Sequence, residues 1–115
     1  MPDFRTVGRA FEDRAAEYLV REGFTMLTRR FAARGGEIDL VALEGETLVF
    51  VEVKARRNGR YTPEEALTTL KMARTLAASE VYLARYDGPE REIRYDLVAI
   101  DDAGVRHYRA AFEPE

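Results

Sequence analysis

Three observations predict a single α/β domain built on a mixed β-sheet flanked by helices. Apolar residues recur at helical spacing in two segments and at strand spacing in five, in the order α-β-β-β-α-β-β. The chain has 115 residues, room for one core and little more, so residues 1–115 are expected to form one domain. Its apolar fraction of 46% supplies that core, and its charged fraction of 34% is interleaved with apolar residues throughout.

The first helix is expected from about Thr6 to Glu22. Phe11, Ala15, Tyr18 and Leu19 fall on one stripe, and Gly23 is suited to the residue after the helix. Glu12 lies beside Leu19 at the edge of the stripe, whereas Asp13 and Glu17 point well away. Phe24 to Ala32 reads as a strand, Ala33-Arg34-Gly35-Gly36 as a turn, and Glu37 to Glu44 and Glu46 to Ala55 as two further strands. After a polar loop at Asn58-Gly59, Thr62-Pro63-Glu64-Glu65 opens a second helix, with Thr as N-cap, Pro at the first position and Glu at the third. Leu67, Leu70, Ala73, Ala77, Val81 and Ala84 carry it to about Tyr86. Gly88-Pro89 ends it. Arg91 to Ile100 and Val105 to Ala110 are strands around an Asp101-Asp102-Ala103-Gly104 turn.

Composition narrows the chemistry. With no cysteine there are no disulfides and no thiolate metal sites, and one histidine, His107, excludes a zinc site of several imidazoles. A metal would be held by oxygen, which favours magnesium, manganese or calcium. No apolar run approaches a membrane span, and the N-terminus lacks a signal peptide's apolar core, so no membrane association is expected and the cytoplasm is the expected location. The net charge of −3 counts against nucleic-acid binding, but Arg29, Arg30 and Arg34 cluster before the central hairpin and Arg56, Arg57 and Arg60 follow it. Such clusters are equally what a solvated loop carries.

The hairpin concentrates the chemistry. Alternation puts Glu37 and Asp39 on one face of its first strand, and Glu52 and Lys54 on one face of the second, with Val49, Val51 and Val53 on the other. A Gly45-Glu46 loop sets Asp39 opposite Glu52 and Glu37 opposite Lys54; a Glu44-Gly45 loop makes Asp39 diagonal to Glu52. Both registers leave the four groups on one face. Opposed Cβ atoms lie about 5 Å apart, so the two carboxylates repel unless a cation lies between them. A cross-strand ion pair of Glu37 with Lys54 is the ordinary alternative, but strands as apolar as Ile-Asp-Leu-Val-Ala-Leu and Leu-Val-Phe-Val-Glu-Val suggest burial on both faces, where unpaired carboxylates are costly.

Asp39, twelve intervening residues and then Glu52-Val53-Lys54 resembles the PD-(D/E)xK nuclease motif, with Ile38 in place of the motif's proline. From about residue 8 to 112 the chain resembles the YraN-like family (UPF0102), related to archaeal Holliday-junction resolvases. The likeness rests on Gly8 and Glu12, GEIDL at 36–40, FVEVK at 50–54, Lys71, Tyr95-Asp96 and Ala111-Phe112; Tyr61 stands where the family usually has glycine. The resemblance implies a restriction-endonuclease-like core. Glu12, Asp39 and Glu52, with the Val53 carbonyl, would hold magnesium or manganese, and Lys54 would assist an attacking water. Arg29, Arg30, Arg56, Arg57, Arg60 and Lys71 are the candidate DNA contacts, and Lys71 could as well be a solvated lysine. Asp96 would pair with an arginine or cap a backbone group, His107 is expected at a surface or edge strand, and Tyr61, Tyr82, Tyr86 and Tyr108 are expected to pack.

The expected activity is metal-assisted hydrolysis of DNA phosphodiesters, with branched DNA and a homodimer suggested by family analogy alone. Two rivals remain: a nucleic-acid-binding protein of the same fold without turnover, and an interaction module whose hairpin charges only form salt bridges.

Overall fold

The computed structural model describes residues 4–56 and 61–114. Helix α1 (Phe4–Arg21) leads into strands β1 (Thr25–Ala33), β2 (Gly36–Glu44) and β3 (Thr47–Ala55). A single 3-10 turn (Pro63–Ala66), helix α2 (Thr69–Arg85) and strands β4 (Ile93–Asp101) and β5 (Gly104–Phe112) follow. The five strands lie in sequence order in one sheet, antiparallel except for the parallel pair β3–β4, which α2 connects. The expected α-β-β-β-α-β-β order and mixed sheet are therefore observed.

The helices cover opposite faces. Ala15, Ala16 and Leu19 of α1 pack on Leu40, Ala42, Val49, Val51, Val98 and Ile100, while Ala78 of α2 joins Val41, Leu48, Phe50 and Tyr95. Burial on both faces accounts for the near-continuous apolar runs of β2, β3 and β4. As expected, α1 ends at a glycine. Gly23 takes a φ of 96°, and the Phe24 amide donates back to the Leu19 carbonyl at 2.9 Å, with both side chains buried together.

The second helix departs from expectation in two ways. The Thr62 start is real, with the Glu65 side chain accepting the Thr62 amide at 3.0 Å, but it produces only the 3-10 turn. Thr68 then takes an extended conformation and caps a new helix by accepting the Lys71 amide at 3.2 Å. The inward face also differs. Leu70 is 67% exposed and Ala73 and Ala84 are exposed, whereas Thr75, Ala78 and Ser79 are buried, flanked by Met72, Leu76, Tyr82 and Leu83. Two hydroxyls turn inward because each has a partner there: Ser79 meets Tyr95 Oη at 2.7 Å, and Thr75 meets Glu52.

On the α1 face, Asp96 is fully buried. It accepts from Arg94, from the Ala110 amide at 3.0 Å and faces His107 Nε2 at 2.8 Å. Both expectations for Asp96 hold at once. His107 does lie on the edge strand β5, yet its side chain is buried beneath Tyr18 and Phe24. Tyr82 packs as expected, but Tyr61 is 66% exposed and Tyr108 also faces solvent, donating to Glu64.

Candidate functional site

The β2–β3 loop is Gly45-Glu46, with Gly45 in the left-handed region at φ 59° and Glu44 paired with Thr47. The ladder runs regularly to Leu40–Val51, so the same count carries Asp39 opposite Glu52. There the strands part. The Val53 amide donates not to a β2 carbonyl but to Asp39 Oδ2 at 2.7 Å.

The cause lies one strand further out. Arg30 falls across from Asp39 between the pairs Arg29–Leu40 and Phe31–Ile38, and it has a φ of 56°, a left-handed conformation that costs a non-glycine residue on the order of 1 kcal/mol. Ile38 and Phe31 pack in the α2-side core while Leu40, two residues along, packs in the α1-side core. Alternation is thus broken at Asp39. Regular alternation therefore does not place Glu37 beside Asp39, yet Glu37, Asp39, Glu52 and Lys54 line one cavity, the grouping expected of the four. Glu37 stays exposed at the pocket rim, and Lys54 pairs with Glu52 rather than with Glu37.

Asp39, Glu52 and Lys54 come together at the floor of a cavity of about 420 Å³. Lys71, Arg74 and Thr75 of α2 form one wall and the β1–β2 turn the other. That turn lies hard against the helix: a Cβ on Gly36 would sit 2.0 Å from the Arg74 carbonyl oxygen. Glu52 is 6% exposed, and both its oxygens are engaged, Oε1 with Lys54 Nζ at 2.8 Å and Oε2 with Thr75 Oγ1 at 3.0 Å. Asp39 feels the opposite balance. Burial, and then the neighbouring Glu52 charge, push its carboxyl up to about 7, against the smaller help of the Val53 amide and Lys54.

The remaining candidates are placed differently. Glu12, on α1, belongs to the other side of the sheet; its Oε2 accepts from Arg30 Nε at 2.5 Å, although Asp39 still senses its charge. Among the described residues no three Asp, Glu, His or Cys side chains gather into a metal-binding group. Val53 turns its side chain to the α1-side core. Arg29 forms an ion pair with Asp13, so both arginines expected to meet phosphate from β1 are neutralised by α1. Arg56 is exposed and donates to the Ala55 carbonyl, while Arg57 and Arg60 lie outside the described residues. Lys71 lines the cavity from the first turn of α2. The sequence reading missed Thr75, Arg74 and the close approach at Gly36. Spacing offered one faint signal, since Thr75 follows Lys71 by one helical turn.

Among the described residues no helix is long and apolar enough to cross a membrane. Residues 11–100 match the model of the uncharacterised protein family UPF0102. A UPF0102 protein of Symbiobacterium thermophilum is 45% identical over 98 residues, covering 84% of this chain and 83% of the relative. Relatives from Anaeromyxobacter dehalogenans and Geobacter metallireducens, both also described as UPF0102 proteins, are 40% and 38% identical over 114 residues. Each covers 95% of this chain, which in turn covers 85% and 93% of theirs.

Proposed function

We propose that this chain, which belongs to the uncharacterised protein family UPF0102, is a metal-dependent nuclease acting on DNA. One observation carries the reading: half-buried Asp39 and buried Glu52 line one cavity together with Lys54. The donor set fits magnesium or manganese. It is hard oxygen only, and burial, then the neighbouring Glu52 charge, makes the ionised Asp39 costly, a cost that a divalent cation would relieve. Such an ion, when bound, supplies positive charge to polarise a phosphodiester.

The chain's own groups divide the remaining work. Asp39 and Glu52 would hold the ion, with Val53 offering backbone between them. Lys54 keeps a compact charge where negative charge develops on a phosphate and can orient a water. Lys71 and Arg74, on the wall facing these carboxylates, are suited to a neighbouring phosphate.

The test is a panel of linear, flapped, single-stranded and four-way DNA, each with and without manganese. Manganese-dependent cleavage of at least one substrate, lost in Asp39→Asn, is expected; no cleavage anywhere would remove the enzyme reading. A second reading is a DNA-binding protein of this fold without turnover. It is favoured by Glu12 being paired with Arg30 rather than joining the two carboxylates. Binding across the panel without cleavage would select it.

A further inference from the structure

Thr75 occupies a position where an apolar residue would be expected. It lies in the interior of α2, 1% exposed, and threonine is a weaker helix former than the alanine or leucine that would fill the same space. A buried hydroxyl is unfavourable unless it is hydrogen-bonded. Thr75 Oγ1 lies 3.0 Å from Glu52 Oε2 and 3.1 Å from the Lys71 carbonyl oxygen. It has one proton for these two acceptors. The helix carbonyl already satisfies the hydroxyl, so a purely local role would not require it to lie against Glu52.

We propose that Thr75 is a positioning residue: its hydroxyl holds Oε2 while Lys54 holds Oε1, fixing the Glu52 carboxylate in one orientation beside Asp39. A carboxylate on an extended strand otherwise rotates about its terminal torsions, and each orientation it must give up weakens its use as a ligand. Because α2 also carries Lys71 and Arg74, the same bond ties the cation-facing floor to the wall that would meet phosphate. This inference rests on the metal reading given above.

The experiment uses the full chain. Manganese affinity is measured by calorimetry for the parent, Thr75→Val and Thr75→Ser, and urea unfolding without metal is measured for the parent, Thr75→Val, Glu52→Met and the double variant. Thr75→Val keeps the shape and loses the hydroxyl; it should bind manganese about tenfold more weakly, as expected when a ligand loses its orienting partner. Thr75→Ser should restore the parent affinity, which a role in packing alone would not. The unfolding cycle should be non-additive by at least about twofold in the folding equilibrium constant. If Thr75→Val does not fold, Thr75→Ala serves in its place. Equal manganese affinity in parent and Thr75→Val, or an additive cycle, overturns the proposal alone. A parent chain that binds no manganese overturns the metal reading and this proposal together.

Discussion

Removing the charge of Lys54 while keeping its apolar stem separates chemistry from fold. Lys54→Met should stay folded and bind DNA near the parent level, yet with manganese saturating lose at least tenfold in cleavage rate, about 1.4 kcal/mol. Equal cleavage by parent and variant would remove Lys54 from the chemistry. Asp39 is tested through pH. Its folded pKa, about 7, stands above the ordinary 3.8, so between these values the folded chain holds a proton that the unfolded chain has released. Stability of the metal-free protein should therefore fall as pH rises through that window and level off above it. Glu44 and Glu64, held at about 2 chiefly by Arg109 and Arg106, act in the opposite sense but only below their ordinary 4.5. Manganese should stabilise more at pH 8 than at pH 5, and Asp39→Asn should flatten the slope and abolish most of the manganese binding heat. Urea melts at several pH values would show this; a parent whose stability climbs from pH 5 to 7 would contradict it. Asp39, Glu52 and Lys54 are legible in the sequence because a short hairpin loop allows two registers of equal parity. Thr75 is not, because a lone threonine in a helix looks the same whether its hydroxyl meets water or a carboxylate.

Elements deviate from the sequence pattern where a polar partner overrides periodicity. The α2 stripe through Leu70, Ala73 and Ala84 treats apolar residues as inward by default; Thr75 and Ser79 take the inward places because Glu52 and Tyr95 satisfy them. The β1–β2 ribbon breaks alternation at Arg30 and Asp39, a kink that no hydrophobic pattern announces, since Arg30 is an ordinary residue in a left-handed conformation. What brings the ribbon's turn onto α2 is the missing side chain at Gly36. Gly36→Ala would place a methyl 2.0 Å from the Arg74 carbonyl oxygen, backbone against backbone, with no flexible side-chain end to yield. The ribbon must then move off the helix. A loss of about 1–3 kcal/mol in urea unfolding is expected, the usual cost of overpacking. Because that turn is one wall of the cavity, DNA binding should weaken as well. Parent-like stability would show that the ribbon slides freely on α2.

At the scale of the whole molecule, the net charge of −3 hides an uneven distribution of cations. The sequence identifies two arginine clusters around the hairpin but cannot tell which are already neutralised, because the carboxylates that meet them come from a helix many residues away. Arg29 and Arg30 are paired with Asp13 and Glu12. Arg56, Lys71 and Arg74 have no carboxylate partner among the described residues, and Lys71 and Arg74 face the cavity. A phosphate approaching the first group must displace an ion pair; one approaching the second has no such pair to break. Removing a cation that neutralises one phosphate should shallow the dependence of log affinity on log salt by about 0.9 for duplex DNA. Lys71→Ala and Arg56→Ala should each reduce the slope by about that amount, and charge reversal of Arg56 and Arg57 together should reduce it further. Arg29→Ala should leave the slope nearly unchanged, since it frees Asp13 and takes no cation away from phosphate. The measurement is DNA affinity across a salt series in calcium rather than manganese, so that cleavage does not consume the substrate. If Arg29→Ala changes the slope as much as Lys71→Ala does, the α1 pairs open on binding and DNA reaches across β1. If neither changes it, the positive wall of the cavity is not where DNA lies.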